Sequence, residues 1–375
     1  MGAAPRIRRM VRLTAPALGL LLCTGCSDLL GGGRAQDWLA WTIPHGSSHA
    51  ALAPVGGLLL VEAGPGVVAL RQSDGSEAYR TTLDRTSASS RIWVQGDRAY
   101  FTPGEDVYAV EAATGAVFWH AALPSSADYS HNTADERAVY VGMRNRRVVA
   151  LSAADGAQLW EVDVGLGWVF ASLITGISVA GDTVYVAVRR HMDDGDLLQR
   201  AVVVALDRHS GREIWRYEGG GPHANVIDAP TVAGDFLVLS DEYTNTFFAL
   251  DRATGREAWR VQGLRGYVGP YNRPRVADGV VYAGMGDTHV WAADLRTGKV
   301  LWKTATGSSI YAVEVCGERI VVNDDDIEIL DRRTGRHLGY ALRSTDAVFA
   351  TSDVVVSGMR AFVIGNKASY AIDCG

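Results

Sequence analysis

Short apolar runs separated by turn residues recur along most of this chain. In a typical unit, an apolar run ends in Ala-Leu-Asp or a similar triplet, a Thr-Gly or Asp-Gly turn follows, and an aromatic residue stands four positions after the Gly. Apolar runs of four to eight residues bounded by turn signals are typical of β-strands. The pattern therefore predicts an all-β fold built from a repeated unit.

The spacing of the units predicts the architecture. Seven copies occur in phase, and their glycines are separated by 37 to 55 residues. This is the size of one four-stranded propeller blade. In each turn we expect an Asp to cap the turn with its carboxylate and the Gly to adopt positive φ. The glycines are Gly75, Gly115, Gly156, Gly211, Gly255, Gly298 and Gly335.

The aromatic residues of the repeat are predicted to dock neighbouring blades against each other. A large ring at the start of each outer strand buries about 150–250 Å². Stacking on a ligand is the alternative, but the repeat places all of these rings at one position, which favours a structural role. The predicted docking residues are Trp41, Tyr79, Trp119, Trp160, Trp215, Trp259 and Trp302.

Both ends of the repeat region bear on the number of blades. Residues 369–373 match the apolar strand of an eighth unit, for which the outer strand is missing. Residues 37–43 resemble an outer strand, with Trp41 in the docking position. Pairing the first strand with the last blade would close the ring and leave no open edge at the join. We therefore predict an eight-bladed β-propeller of four-stranded antiparallel blades, with seven blades as the alternative.

The repeat resembles the pyrroloquinoline-quinone-like (PQQ-like) repeat, with its A-L-D-x-x-T-G-x-x-x-W core, over residues 37–375. Repeats of this type occur in quinoprotein dehydrogenases and in the propeller lipoprotein of the outer-membrane assembly machinery. The resemblance implies a propeller, and it leaves two functional classes open. One is a non-catalytic binding lipoprotein, and the other is a PQQ- or metal-dependent oxidoreductase.

The oxidoreductase alternative is the less favoured one. If this chain were a quinoprotein dehydrogenase, the resemblance would imply a Ca²⁺ ion, a pair of adjacent cysteines beside the quinone, a catalytic Asp and a longer chain. Here no two cysteines are neighbours, and no position matches the catalytic Asp. His45 and His49 lie in a predicted loop, and Asp324 to Asp326 lack the spacing of a calcium loop and are predicted to form an acidic turn. We therefore predict no cofactor, no metal and no catalytic residue.

The N-terminus has the features of an export signal. Arg6, Arg8, Arg9 and Arg12 precede a short apolar segment that is too short to span a bilayer. The sequence C-T-G-C that ends at Cys26 resembles a lipobox, which makes Cys26 the predicted lipidation site. Sec export is favoured, and the pair Arg8-Arg9 leaves twin-arginine export open.

The predicted organisation is a signal peptide over 1–25, a flexible tether over 26–36 and a propeller over 37–375. The acyl chains would anchor the protein outside the cytoplasm to the cell membrane, or to the outer membrane if the envelope has two. Loss of 1–25 removes four Arg and no acid, which takes the formal net charge from −6 to −10. A chain with this negative charge is not expected to bind nucleic acid. We also expect the protein to be a monomer by itself.

Two segments are candidates for binding a protein partner in the envelope. The loop GLRGYVGPYNRPR lies where an outer strand returns to the next inner strand, and Tyr and Arg are enriched in binding hot spots. The second segment is 189–200, an insertion with an Asp-Gly hairpin signal in blade four; a tolerated surface insertion is the alternative. The candidate residues are Arg265, Tyr267, Tyr271, Asn272, Arg273, Arg189, His191, Asp193 and Asp194.

Cys316 and Cys374 are expected on the same face of adjacent blades. Unlipidated cysteines of exported proteins are often paired. A bridge requires Cα atoms within about 7 Å, and different radial positions of the two residues would prevent it. The sequence leaves both outcomes open. Taken together, the sequence predicts a non-catalytic, lipid-anchored binding or scaffolding propeller.

Overall fold

The described residues of the computed structural model form thirty-two strands in eight four-stranded antiparallel sheets. The part of the chain that is described includes no helix that could cross a membrane. The predicted boundaries at residues 25 and 36 lie outside it. The described residues are 38–44, 52–62, 66–83, 92–127, 131–165, 172–190, 200–219, 228–241, 244–264, 272–343, 354–365 and 368–375.

The first strand, β1 (Leu39–Pro44), belongs to the last blade, and the numbering of the other strands follows the blades. Blade one contains β2 (Leu52–Val55), β3 (Leu58–Glu62), β4 (Gly66–Arg71) and β5 (Glu77–Thr82). Blade two contains β6 (Ile92–Gln95), β7 (Arg98–Phe101), β8 (Asp106–Glu111) and β9 (Val117–Ala122). Blade three contains β10 (Thr133–Ala134), β11 (Ala138–Gly142), β12 (Arg147–Ser152) and β13 (Gln158–Asp163). Blade four contains β14 (Ser172–Ala180), β15 (Thr183–Arg190), β16 (Arg200–Asp207) and β17 (Glu213–Gly219).

The second half of the chain repeats this arrangement. Blade five contains β18 (Thr231–Ala233), β19 (Phe236–Asp241), β20 (Thr246–Asp251) and β21 (Glu257–Gln262). Blade six contains β22 (Arg275–Ala277), β23 (Val280–Met285), β24 (His289–Asp294) and β25 (Val300–Ala305). Blade seven contains β26 (Ala312–Cys316), β27 (Arg319–Asn323), β28 (Ile327–Asp331) and β29 (His337–Leu342). Blade eight contains β30 (Val354–Ser357), β31 (Arg360–Ile364) and β32 (Ala368–Asp373), and β1 is its outer strand.

The ring is closed as the sequence predicts. The first strand of every blade contacts the first strands of both neighbouring blades, including β30 with β2. At the join, β1 pairs with β32, and Trp41 stands opposite Ala371. The eight-bladed prediction is confirmed, and the seven-bladed alternative is wrong.

The hydrophobic core is divided among the blade interfaces. Each of the eight interfaces holds one cluster of buried apolar side chains, contributed by the facing sides of two neighbouring blades. The second and third strands of the blades are therefore buried on both faces, as in the second strand of blade three, where all five residues are buried. Burial of apolar area on this scale is the main term that stabilises the ring.

The docking aromatics join each blade to the next through one repeated contact. The Trp215 indole N–H donates to the Arg252 carbonyl at 3.1 Å, on the turn between the third and fourth strands of the following blade. Gly255 in that turn has φ of +70°, and a Cβ atom there would lie 2.4 Å from the Trp215 ring. The turn thus needs Gly for its backbone and for the ring. Equivalent bonds are made by Trp41, Tyr79, Trp119, Trp160, Trp259 and Trp302.

The interface between blades seven and eight is built differently. In the other seven blades, an Ala of the third strand pairs with the docking aromatic. In blade seven, Ile329 pairs with Gly339, so the docking ring is absent. Cys316 and Cys374 form a disulfide across this interface, with Cα atoms 5.8 Å apart. The disulfide therefore joins the two blades that lack the aromatic contact.

The alternating strand directions give the ring two different faces. We call the first the loop face: it carries the returns from one blade to the next and the hairpins between second and third strands. The second is the turn face, which carries the hairpins between first and second strands and the turns between third and fourth strands. The described ends of both partner-binding segments lie at the loop face, and the docking turns belong to the turn face.

Candidate functional site

The return from blade five to blade six begins at a backbone that is fixed by two hairpins of the loop face. The amide of Leu264 donates to Asp287 Oδ2 at 3.1 Å, and the Asn245 carboxamide donates to the Leu264 carbonyl at 3.0 Å. Asn245 Oδ1 also accepts from the Gly286 amide at 2.8 Å. Asn245 and Asp287 are buried. The start of the return is therefore held by both neighbouring blades.

The same return ends at a second set of hydrogen bonds. The Asn272 carboxamide donates to the carbonyls of Gly284 at 3.2 Å and Ile310 at 3.3 Å, and its oxygen accepts from the Gly284 amide. The Arg273 guanidinium donates to Thr231 Oγ1 at 2.9 Å and to the Pro230 carbonyl at 3.0 Å. Burial, together with the charge of Arg275, lowers the pKa of Arg273.

For Asn272 and Arg273 the structure differs from the sequence expectation of partner contact. Asn272 is only 4% exposed, and its polar atoms bond the propeller backbone. The described hydrogen bonds of Arg273 also go to the propeller, at the inner edge of blade five. The described hydrogen bonds of both side chains therefore connect parts of the propeller to each other. Arg265, Tyr267 and Tyr271, which lie between the two fixed ends, are outside the described residues.

Blade four carries the long hairpin that the insertion predicts. Its second and third strands, β15 and β16, have eight residues each, whereas the corresponding strands of the other blades have four to six. Their pairing continues to the pair Arg190 and Arg200. Arg189 lies on this extension, opposite Ala201. The predicted tip residues His191, Asp193 and Asp194 are outside the described part of the chain.

Four of the five non-Gly residues with positive φ in the described part of the chain lie in hairpins of the loop face, and the fifth, Asp278, lies on the turn face. Arg146, Asn245, Thr288 and Asp325 have φ between 49° and 83°, and each lies in a hairpin between second and third strands. A β-branched residue such as Thr288 is rare in this region. Strained residues of this kind cost about 1–3 kcal/mol each and tend to collect at functional sites.

Blade seven places two carboxyl groups inside its loop-face hairpin. Asp324 Oδ2 accepts from the amides of Gly307 at 2.7 Å and Ser308 at 3.1 Å, in the return from blade six. Glu328 is buried beside it. Burial and the charge of Glu328 raise the pKa of Asp324 to about 7. The sequence predicts an acidic turn here, and residues 324–326 do lie between two strands, but Asp324 points inward and Glu328 was not singled out.

Other buried acids lie at the loop-face ends of second and third strands. Each is less than 9% exposed. No three His, Cys, Asp or Glu side chains in the described ranges are grouped so that they could hold a metal ion. The predicted loop histidines His45 and His49 lie outside those ranges. The buried acids on this face are Glu62, Asp106, Asp241, Asp287, Asp324 and Glu328, and a seventh buried acid, Asp135, lies in the hairpin between the first and second strands of blade three.

The turn face contains cavities that repeat with the docking unit. One of about 330 Å³ between blades four and five is lined by Tyr185, Trp215 and Arg252, among others. Another, of about 410 Å³ between blades six and seven, is lined by the equivalent Tyr282, Trp302 and Arg332. Because the lining residues recur with the repeat, these cavities follow from blade packing.

Solved structures with the same fold include proteins of different function. BamB from Moraxella catarrhalis matches with a TM-score of 0.68 and 18% identity, over 88% of this chain and 97% of that chain. The computationally designed Ika8 protein matches with a TM-score of 0.71 and 14% identity, over 90% and 99%. Quinohemoprotein alcohol dehydrogenase from Comamonas testosteroni matches with a TM-score of 0.69 and 15% identity, over 90% and 76%. At these identities the likeness concerns the fold.

Sequence comparison identifies the family. No curated protein matches the sequence. The family model described as "Outer membrane protein assembly factor BamB" matches residues 103–241 and 199–373. These two segments together cover more than half of the chain and include blades three to seven completely. The chain therefore belongs to the PQQ-like propeller family that is described as outer membrane protein assembly factor BamB.

Proposed function

We propose that this protein is a non-catalytic, lipid-anchored binding or scaffolding propeller that recognises a protein partner in the cell envelope through its loop face. The observation that carries the proposal is the return 263–273, which is held at both ends by buried hydrogen bonds to the hairpins of blades five and six. A loop with fixed ends loses less conformational entropy on binding than a free one. Rigid frames that present loops in this way are typical of binding proteins.

The residues between the fixed ends have the chemistry of a protein-binding surface. They include Arg265, Tyr267 and Tyr271. Tyr and Arg are enriched in hot spots because a Tyr ring contributes a large contact area at low conformational cost and Arg donates several hydrogen bonds. The extended hairpin of blade four belongs to the same face and to the blade next to blade five. We expect one partner to contact both segments.

Membership of the BamB family supports an envelope partner, because the family is described by outer-membrane assembly. We propose that Cys26 carries the lipid and that 26–36 tethers the propeller to the membrane. An anchor of this kind would keep the loop face near membrane-bound partners. The mature net charge of −10 favours a protein partner over nucleic acid.

The competing hypothesis is a PQQ- or metal-dependent oxidoreductase. The likeness to quinohemoprotein alcohol dehydrogenase, at 15% identity, supports only the common fold. Cys316 and Cys374 are bonded to each other across blades seven and eight, and are 58 residues apart in the chain. They do not supply the adjacent cysteines that the quinoprotein resemblance implies. This placement favours the binding hypothesis.

The test is recovery of a cross-linked partner from native envelopes. Tyr267→Ala with Tyr271→Ala is expected to lower recovery at least thirtyfold, because hot-spot truncations cost about 2 kcal/mol or more each. Arg273 is left intact, since its guanidinium holds the frame. The matched control is Arg296→Ala with Arg333→Ala, two exposed positions of the turn face. Equal recovery from the Tyr variant and the control would contradict this choice of face, and dye-linked dehydrogenase activity with bound quinone would contradict the non-catalytic assignment.

A further inference from the structure

The blade-seven hairpin buries two acids that have no Arg or Lys partner among the described residues. Asp324 and Glu328 are 2% and 1% exposed, and neither forms an ion pair with Arg or Lys within the described ranges. Asp324 Oδ1 and Glu328 Oε2 are buried and accept no hydrogen bond from the described residues. Buried charges are normally paired, because removal of an ion from water costs several kcal/mol. The two carboxyl groups therefore cannot both be ionised without a large penalty.

Both carboxyl groups border the same residue of the return from blade six to blade seven. A Cβ atom on Gly307 would lie 3.4 Å from Asp324 Oδ2 and 3.8 Å from Glu328 Oε1. Two backbone amides, of Gly307 and Ser308, donate to Asp324 Oδ2. The pair thus forms the contact between the hairpin and the return.

The surroundings of the pair do not neutralise it. Asp325 and Asp326 lie on the same hairpin, and the only Arg described nearby, Arg343, is 3.5 Å from Asp326 and stacks on Tyr340. His337 Nε2 is 3.7 Å from Glu328 Oε2. Burial and the charge of Arg343 lower the pKa of His337, so this ring is largely neutral near pH 7.

We propose that Asp324 and Glu328 share one proton in the folded protein, and that this proton holds the blade-seven hairpin closed on the return 306–311 of the loop face. The protonated carboxyl donates its O–H to the other carboxylate, and Asp324 keeps its two amide donors. When the proton leaves, two negative charges lie side by side away from water. Opening of the hairpin then relieves their repulsion by admitting water.

The direction of the pH effect follows from linkage. Burial raises the pKa of Asp324 to about 7 in the closed form, against an ordinary value of 3.8. The proton therefore stabilises the closed form fully below pH 4, and this stabilisation is lost as the pH rises through 7. Between about pH 4 and pH 7, each further pH unit lowers the closed-to-open ratio by up to tenfold, and above pH 7 the ratio levels off because both forms have lost the proton.

The hairpin is connected to the proposed partner site. The carbonyl of Ile310, in the same return, accepts a hydrogen bond from Asn272, which holds the end of the return 263–273. Opening at blade seven would therefore loosen the frame of blade six. This effect on docking rests on the proposed function, whereas the proton site itself does not.

The experiment measures protonation and opening on the intact mature protein. Carboxyl ¹³C NMR should show one Asp or Glu signal that titrates near pH 7 in the wild type and is absent in Asp324→Asn and in Glu328→Gln. The hydrogen-exchange protection of the Gly307 and Ser308 amides, corrected for intrinsic rate, should fall by up to tenfold per pH unit between about pH 5 and pH 7 and level off above pH 7. In Asp324→Asn this fall should disappear, because the carboxamide N–H can donate to Glu328 at every pH.

His337→Gln is the matched control, because it removes the other group nearby that titrates in this range. The control should keep both the carboxyl signal and the pH-dependent protection. Titration of all carboxyl groups below pH 5, or protection that does not change between pH 5 and 7, would overturn the proposal. Because neither readout uses the partner, a failure of partner recovery would count against the proposed function alone.

Discussion

The interface between blades seven and eight is where loss of one covalent bond should weaken the ring most. Here Gly339 takes the position of the docking aromatic, and the Cys316–Cys374 disulfide joins the two blades instead. Both sulfur-bearing side chains are buried, so Ala at each position fits without a new polar group. The double variant Cys316→Ala with Cys374→Ala removes this disulfide.

The size of the effect follows from the number of residues between the two bonded cysteines. For a separation of 58 residues, loop-closure entropy gives about 4 kcal/mol of stabilisation at 25 °C. With an unfolding entropy of about 2.1 cal/mol/K per residue, a propeller of this size should lose about 6 °C in melting temperature. Hydrogen exchange should rise first in β26, which ends at Cys316, and in β32, which ends one residue before Cys374.

The assay is calorimetric melting of the wild type, the wild type with reductant and the double variant. The reduced wild type and the variant should melt together, below the oxidised protein. A variant that melts within about 1 °C of the oxidised wild type would refute the reasoning, because the interface would then be held by its apolar cluster alone. Increased exchange confined to other blades would have the same consequence.

Three further predictions concern the ring and its anchor. Deletion of 37–43 removes β1 and the Trp41 dock and should cost at least the 3–5 kcal/mol of a large aromatic truncation; an unchanged thermal melt would count against the closing strand. Trp259→Phe keeps a ring but loses the hydrogen bond to the Leu295 carbonyl at 2.8 Å. Trp259→Phe should lower the free energy of unfolding by about 1 kcal/mol for the hydrogen bond, plus the contribution of the smaller ring area. Trp259→Ala should lower it by about 3–5 kcal/mol. Urea unfolding can distinguish the two variants, and equal losses would show that the ring contributes little. Cys26→Ala should abolish acyl labelling and release the protein from membranes, and retention of the variant in the membrane fraction would exclude Cys26 as the lipidation site.

The fold was predictable because its stabilising contacts repeat with the sequence. Each docking aromatic bonds one turn carbonyl and packs on one turn glycine, so Trp215 and Gly255 occur at fixed places in their units. The closing strand was found for the same reason, since Trp41 occupies the position of the other rings. Where the repeat is broken, as at Gly339, the sequence left the pairing of the nearby cysteines open.

The frame of the candidate site was not predictable in this way. Asn245, Asp287 and Asn272 bond backbone groups 12 to 41 residues away, and no period connects them with those groups. The sequence suggested partner contact for Asn272 and Arg273 because they belong to a loop with several Tyr and Arg residues, which are enriched in binding hot spots. Here they satisfy the backbone between blades instead.

The sequence did not indicate a role for Glu328, for a related reason. In a sheet with one solvated face, alternation separates inward from outward residues. In β28 the first four residues are all buried, because neighbouring blades cover both faces. Sequence alternation therefore cannot indicate that Glu328 faces Asp324, and only the packing of the hairpin on residue 307 brings the two acids together.

The most direct test of the central claim is photo-cross-linking in living cells from single positions on the two faces. A photoreactive phenylalanine analogue would replace Tyr271, in the return from blade five to blade six, or Arg333 on the turn face as a control. The proposed binding role predicts one discrete protein adduct from position 271 that is absent from position 333. No adduct from position 271, or the same adduct from both positions, would contradict recognition through the loop face.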